Sequence, residues 1–151
     1  MCFAAVPSTR ADVLHRALDR ARTAGAAAAA AGDGTLEGAL RAADVVVSLS
    51  WPASAETRDH ALAAMAARKP VIVLDTTITA DWPAVDPQTW VPRGLIAVEP
   101  IVVSLDPRDE EHSLVLAIQR LSSDATLRAR LVEAADRWLL KHEGLEDLQR
   151  H

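Results

Sequence analysis

Ala-Asp-Val-Val-Val-Ser-Leu-Ser-Trp-Pro at 43–52, Ser-Ala-Glu-Thr-Arg at 54–58 and Lys-Pro-Val-Ile-Val-Leu-Asp at 69–75 frame an alanine-rich segment. Two continuous apolar runs joined by a Pro-bearing loop and an amphipathic helix form one βαβ unit. Continuous rather than alternating runs mean strands buried on both faces, as in a parallel sheet. Ligands of such sheets gather at the carboxyl ends of the strands. That edge holds Trp51 to Arg58, the loop and the start of the helix.

The remaining segments extend the pattern in both directions. Ser8 or Thr9 caps a helix whose stripe is Leu14, Ala17, Leu18 and Ala21, and Gly25 closes it. Ala26 to Ala31 reads equally as a short buried strand or a helical extension, before the turn chemistry of Gly32-Asp33-Gly34. Leu36 to Ala43 is a short helix leading into a strand at Val45 to Leu49. The next helix runs from about Thr57 to Ala67. Lys69-Pro70 ends it, because the residue before proline avoids helical geometry, and Val71 to Leu74 is the second buried strand.

Asp75 to Arg93 is a long irregular stretch with Pro83, Pro87, Pro92, Trp82 and Trp90, and such loops are often functional or lid-like. Ile101 to Leu105 is a third strand. Two helices follow, one over Glu110 to Leu121 and one from near Asp124, aligned on Leu127, Leu131, Ala134, Ala135 and Trp138 and broken by Gly144. The expected architecture is a single α/β domain over 1–151, a Rossmann-like parallel sheet flanked by helices.

Composition excludes several classes. The 151 residues are 50% hydrophobic and 25% charged, with a net charge of −5 and 3% aromatic residues, which is ordinary for a globular domain. An extended nucleic-acid surface would need clustered Lys and Arg with stacking platforms, so nucleic acid is not an expected partner. Cys2 has no second cysteine to pair with, which suits a reducing compartment. No stretch is apolar enough to span a bilayer, and Met1 to Val6 is too short for a signal-peptide core, so a cytoplasmic location is expected.

Residues 43–142 resemble the carboxyl-terminal, donor-binding half of a retaining glycosyltransferase of the two-Rossmann-domain (GT-B) type, family 4-like. The resemblance is carried by Ala-Asp-Val-Val-Val at 43–47, Trp-Pro-Ala-Ser-Ala-Glu-Thr at 51–57 and Ala-Met-Ala-Ala-Arg-Lys-Pro-Val-Ile-Val at 64–73. It continues in Asp-Pro-Gln-Thr-Trp at 86–90, Glu-Glu-His-Ser-Leu at 110–114 and Asp-Ala-Thr-Leu-Arg-Ala-Arg-Leu at 124–131, then Trp138. Residues 1–42 match poorly. The resemblance implies a nucleotide-diphosphate sugar as donor substrate, with no separate cofactor, and an acceptor-binding domain supplied in cis or trans. The chain would be a partial one and an enzyme only when so completed.

Stabilising a departing nucleoside diphosphate needs helix-terminal N–H groups and cationic side chains rather than a nucleophile. By resemblance Glu56 accepts hydrogen bonds from donor-sugar hydroxyls, the backbone around Thr57 faces phosphate, and Ser54 assists; charge logic adds Arg58. The chain departs from the family at Ala63, which stands where a second glutamate commonly grips the ribose. It also has no lysine before Lys69. Arg10, Arg16, Arg20 and Arg22 read as the solvated face of a helix. The competing reading is a non-catalytic α/β interaction module that has lost the nucleotide site.

Other constellations read as structure. Glu56 also suits a helix amino end through the macrodipole. Asp59 and His60 diverge by about 100° on a helix and read as surface residues. Asp106 to His112 fits no metal spacing and reads as a helix start; no metal site is expected. Trp51, Trp82 and Trp90 in loops could stack on a sugar or base, although packing onto the sheet is the plainer use. No Gly-x-Ser-x-Gly elbow or Walker loop is present, and Cys2 reads as part of a mobile terminus; no catalytic residue is assigned.

Overall fold

A computed structural model describes residues 1–6, 11–50, 53–93 and 98–150, without the side chains of Ala11 and of residues 143–150. The strands are β1 (Cys2–Ala5), β2 (Ala29–Ala30), β3 (Val45–Ser48), β4 (Val71–Leu74), β5 (Ala84–Val85), β6 (Pro92–Arg93) and β7 (Val102–Leu105). The helices are α1 (Ala11–Thr23), α2 (Leu36–Ala42), α3 (Ala55–Ala66), α4 (Glu110–Ser123) and α5 (Ala125–Arg150). Among the described residues one sheet carries seven strands in the order β2-β1-β3-β4-β7-β5-β6, parallel except for the β5–β6 pair. The Rossmann-like α/β architecture expected from the sequence is therefore present.

The central strands β3, β4 and β7 are buried at every position, as their unbroken apolar runs require. Phe3, Val45, Val47, Ile72, Leu74, Val103 and Leu105 face one core with residues of α1 and α4. Ala4, Val46, Val71, Val73 and Val102 face the other, beneath α2, α3 and α5. Ala61, Ala64 and Met65 are the α3 residues in that second core, and alanine at two of these positions lets the helix lie close to the sheet. Helix α3 ends in a Schellman arrangement: Arg68, at φ 60°, donates to Met65 O and Lys69 donates to Ala64 O. An ion pair from Arg68 to Asp136 then ties that turn to α5.

Several expectations are corrected. Residues 2–5 form an inner strand rather than a mobile terminus: β1 lies between β2 and β3, and Cys2 N donates to Asp44 Oδ2 at 2.7 Å. The alanine tract forms a two-residue strand, β2, but that strand is exposed at the sheet edge rather than buried. Residues 75–93 are not irregular throughout, since β5 and β6 form within them. Trp82 is 3% exposed and belongs to the second core, packing edge-on against Trp138. Gly144 does not break α5, which continues to Arg150, because a lone glycine costs a helix only about 1 kcal/mol. The expected caps Ser8 and Thr9, together with Arg10, lie outside the described residues.

On the first face α1 packs along α4. Arg16 and Arg20 both donate to Glu111, at 2.6 and 2.9 Å, while Arg22 binds Asp19 and the Ala28 carbonyl. The expected solvated arginine face is thus exposed but paired. Hydrogen bonds from Arg16, then from Arg20, hold the Glu111 carboxyl below its ordinary range. A carboxyl lowered on folding stabilises the native state fully above its unfolded value, roughly pH 4.3, and loses that contribution as pH falls through the native value. Glu111→Gln is expected to flatten the decline of melting temperature below about pH 4.3, measured by circular dichroism from pH 7 to 2.5; an unchanged profile would contradict this role.

Candidate functional site

Because the central strands are parallel, their carboxyl ends share one edge of the sheet. Val6 follows β1 there, Leu49 and Ser50 follow β3, and Asp75, Asp86 and Asp106 follow β4, β5 and β7. The chain reverses direction across the sheet between β1 and β3. From β1 it leads outward through α1 on the first face to β2, whereas from β3 it leads the other way through α3 on the second face to β4. Such a switch point opens a crevice between two diverging loops. The loop residues 7–10 and 51–52, including Trp51, lie outside the described residues.

Helix α3 begins beside this point. Ser54 is its N-cap, with extended backbone at φ −143° and ψ 175°, so the helix starts two residues before the expected Thr57. Ser54 Oγ accepts from Thr57 N at 3.4 Å, and Thr57 Oγ1 accepts from Ser54 N at 3.1 Å. This reciprocal capping box satisfies donors that a helix start would otherwise leave open. It also engages both hydroxyls in holding the helix end.

Glu56 lies in the first turn with its side chain 77% exposed, and its Oε1 is 3.6 Å from His60 Nε2. Asp59 is exposed and pairs with neither. Arg58 is half-buried; two positions along from Glu56, it leaves the helix about 200° away around the axis. The structure therefore joins Ser54 with Thr57 and Glu56 with His60. Ser54, Glu56, Thr57 and Arg58 line none of four clefts, of about 410, 490, 460 and 430 Å3, in the described surface.

One of these clefts nevertheless opens on the same edge. It is lined by Asp75, Asp86 and Asp106, by Arg93 and Arg108, and by Ser104. Arg93 donates to Asp75 Oδ1 at 2.7 Å and to the carbonyls of Thr79 and Trp82. Arg108 forks onto Asp106, with two bonds of 3.1 Å. The Arg108 side chain first, then its backbone N–H, hold the Asp106 carboxyl below its ordinary range. Sequence reasoning passed over this cluster, although a signal was visible: Val-Leu-Asp, Ala-Val-Asp and Ser-Leu-Asp each close a strand at 73–75, 84–86 and 104–106.

Among the described residues Ser48 Oγ and Ser104 Oγ, both buried on the second face of the sheet, find no hydrogen-bond partner. They flank Val73 at one level of the sheet, through the register Ser48–Val73–Ser104. His60 Nδ1 and Arg93 Nε are likewise buried without a partner among the described residues. Buried polar atoms left open in this way are rare.

The Asp106–His112 segment forms a 3-10 turn at Pro107–Asp109 and the first turn of α4. Among the described residues no three His, Cys, Asp or Glu side chains come together to hold a metal ion. Trp90 adopts φ 58° and stacks under the Arg120 guanidinium, 5.1 Å from the ring centre. Among the described residues no helix is long and apolar enough to cross a membrane. No protein-family model and no curated protein matches the chain.

Ser54→Ala removes the acceptor for Thr57 N and is expected to cost about 1 kcal/mol, read from urea unfolding. A change below about 0.3 kcal/mol, well short of an N-cap effect, would show that the box contributes nothing.

Proposed function

We propose that this chain is the nucleotide-sugar-binding part of a retaining glycosyltransferase, acting with an acceptor-binding domain in cis or trans. The observation that carries the reading is the amino end of α3, capped and fixed at the carboxyl edge beside the reversal of strand order. A helix amino end carries a positive dipole and N–H groups suited to phosphate oxygens. The chemistry of sugar transfer with retention demands stabilisation of the leaving diphosphate, and preorganised donors of this kind supply it without reorganisation.

In this reading the rigid cap keeps the α3 amides in position, so Ser54 and Thr57 act by holding the backbone. Glu56 projects from the first turn with its carboxylate accessible, free to accept hydrogen bonds from hydroxyls of the donor sugar. Arg58 contributes positive charge near the diphosphate. Ribose recognition falls to groups other than Ala63. The second reading, a non-catalytic interaction module, is favoured by Ala63, which stands where a ribose-gripping glutamate would be, and by the poor match of residues 1–42.

Melting with uridine, guanosine and adenosine diphosphates and their glucose conjugates separates the two. A ligand at about a hundred times its dissociation constant adds roughly 2.7 kcal/mol to the folded state. At least one diphosphate and its sugar conjugate should raise the melting temperature. Glu56→Gln should weaken the conjugate by about tenfold, an interaction of roughly 1.4 kcal/mol, and leave the bare diphosphate unchanged. No shift with any nucleotide would overturn the transferase reading and leave the module.

A further inference from the structure

The cleft at the ends of β4, β5 and β7 is a site distinct from the α3 amino end, and we propose that it binds a neutral polyhydroxylated ligand the size of a single sugar ring. Its volume, about 410 Å3, lies within the roughly 300–1,000 Å3 of small-molecule sites. Its wall is built from rigid elements: three strand ends supply Asp75, Asp86 and Asp106, and β6 supplies Arg93.

Ser104 carries the inference. It lines the cleft, is 7% exposed, and its hydroxyl has no partner among the described residues. It interrupts Val102, Val103 and Leu105 in a strand that otherwise needs branched apolar residues. Ser104 has β4 on one side of its strand and β5 on the other. A buried position where the sequence breaks its local pattern is where a functional or strained site is expected. Arg93, which also lines the cleft, has a buried Nε with no acceptor among the described residues.

The charges select the ligand class. Three carboxylates and two guanidinium groups give the cleft a formal charge of −1, and two carboxylates are already neutralised by Arg93 and Arg108. An anion would meet Asp86 and the outer oxygens of the paired carboxylates. A cation would have to compete with arginines fixed in place. Neutral hydroxyls both donate and accept, so they can bridge carboxylate oxygens and guanidinium donors without breaking either ion pair.

Isothermal titration of the chain with glucose, mannose, galactose and myo-inositol tests this, with glucose 1-phosphate and glucosamine as charged counterparts. At least one neutral polyol is expected to bind, more tightly than both charged compounds. Ser104→Ala should raise the melting temperature of the free protein, by removing an unsatisfied hydroxyl, and weaken binding by about tenfold. Asp106→Asn should weaken it by a similar factor. Absence of binding by all four neutral compounds, tighter binding of a charged one, or full binding by Ser104→Ala would each overturn the proposal. Because Ser104 and Asp106 line this cleft and lie away from residues 54–58, loss of binding in their variants reports on the cleft alone, whatever the outcome for the transferase reading.

Discussion

Everything in this protein depends on a parallel ladder, β1-β3-β4-β7, whose strands must be covered on both faces. Inner parallel strands have no solvent side, so each residue of β3, β4 and β7 is buried. Each buried Val, Leu or Ile contributes roughly 1.5–3 kcal/mol. The helices are recruited by that requirement: α1 and α4 on one side, α2, α3 and α5 on the other. Since every crossover must return to the same end of the sheet, the loops that carry ligands in such folds collect at one edge.

The same constraint explains the alanines. A helix lying over a sheet of Val and Ile has little room, and α3 answers with Ala61 and Ala64 beneath it and a capping box at its start. Its other end is held by the left-handed turn at Arg68 and the ion pair to Asp136. Both termini of α3 are thereby fixed, which is what a binding helix needs: amides that do not move when charge arrives. The neighbouring cleft is fixed differently, by Arg93 and Arg108 clamping the strand-end aspartates.

The βαβ unit at 43–75 was legible because its signals agree: two unbroken apolar runs, a Pro-bearing loop and a helix between them, and a proline stop. The inner strand β1 was not, since Cys-Phe-Ala-Ala is short, small and close to a chain end, and only its pairing partners identify it. β2 was ambiguous for a physical reason: alanine favours helices, and two residues of exposed edge pairing override that weakly. Trp82 looked like a loop aromatic but is a core residue, because nothing local reveals that its loop folds back over β7 and α5. The proposed site residues were legible as a helix start. Asp75 and Ser104 were passed over and Asp106 was read as part of a helix start, because they belong to two strands, β4 and β7, that only the sheet brings to one edge.

The most direct test of the central claim, that the carboxyl edge at α3 receives a nucleoside diphosphate, is amide hydrogen exchange with and without uridine, guanosine and adenosine diphosphates. The account predicts slower exchange at residues 54–58 for at least one of them, with the amino-edge turn at Arg68–Lys69 unaffected. Unchanged exchange at 54–58 with all three, or protection confined to the opposite edge, would contradict it.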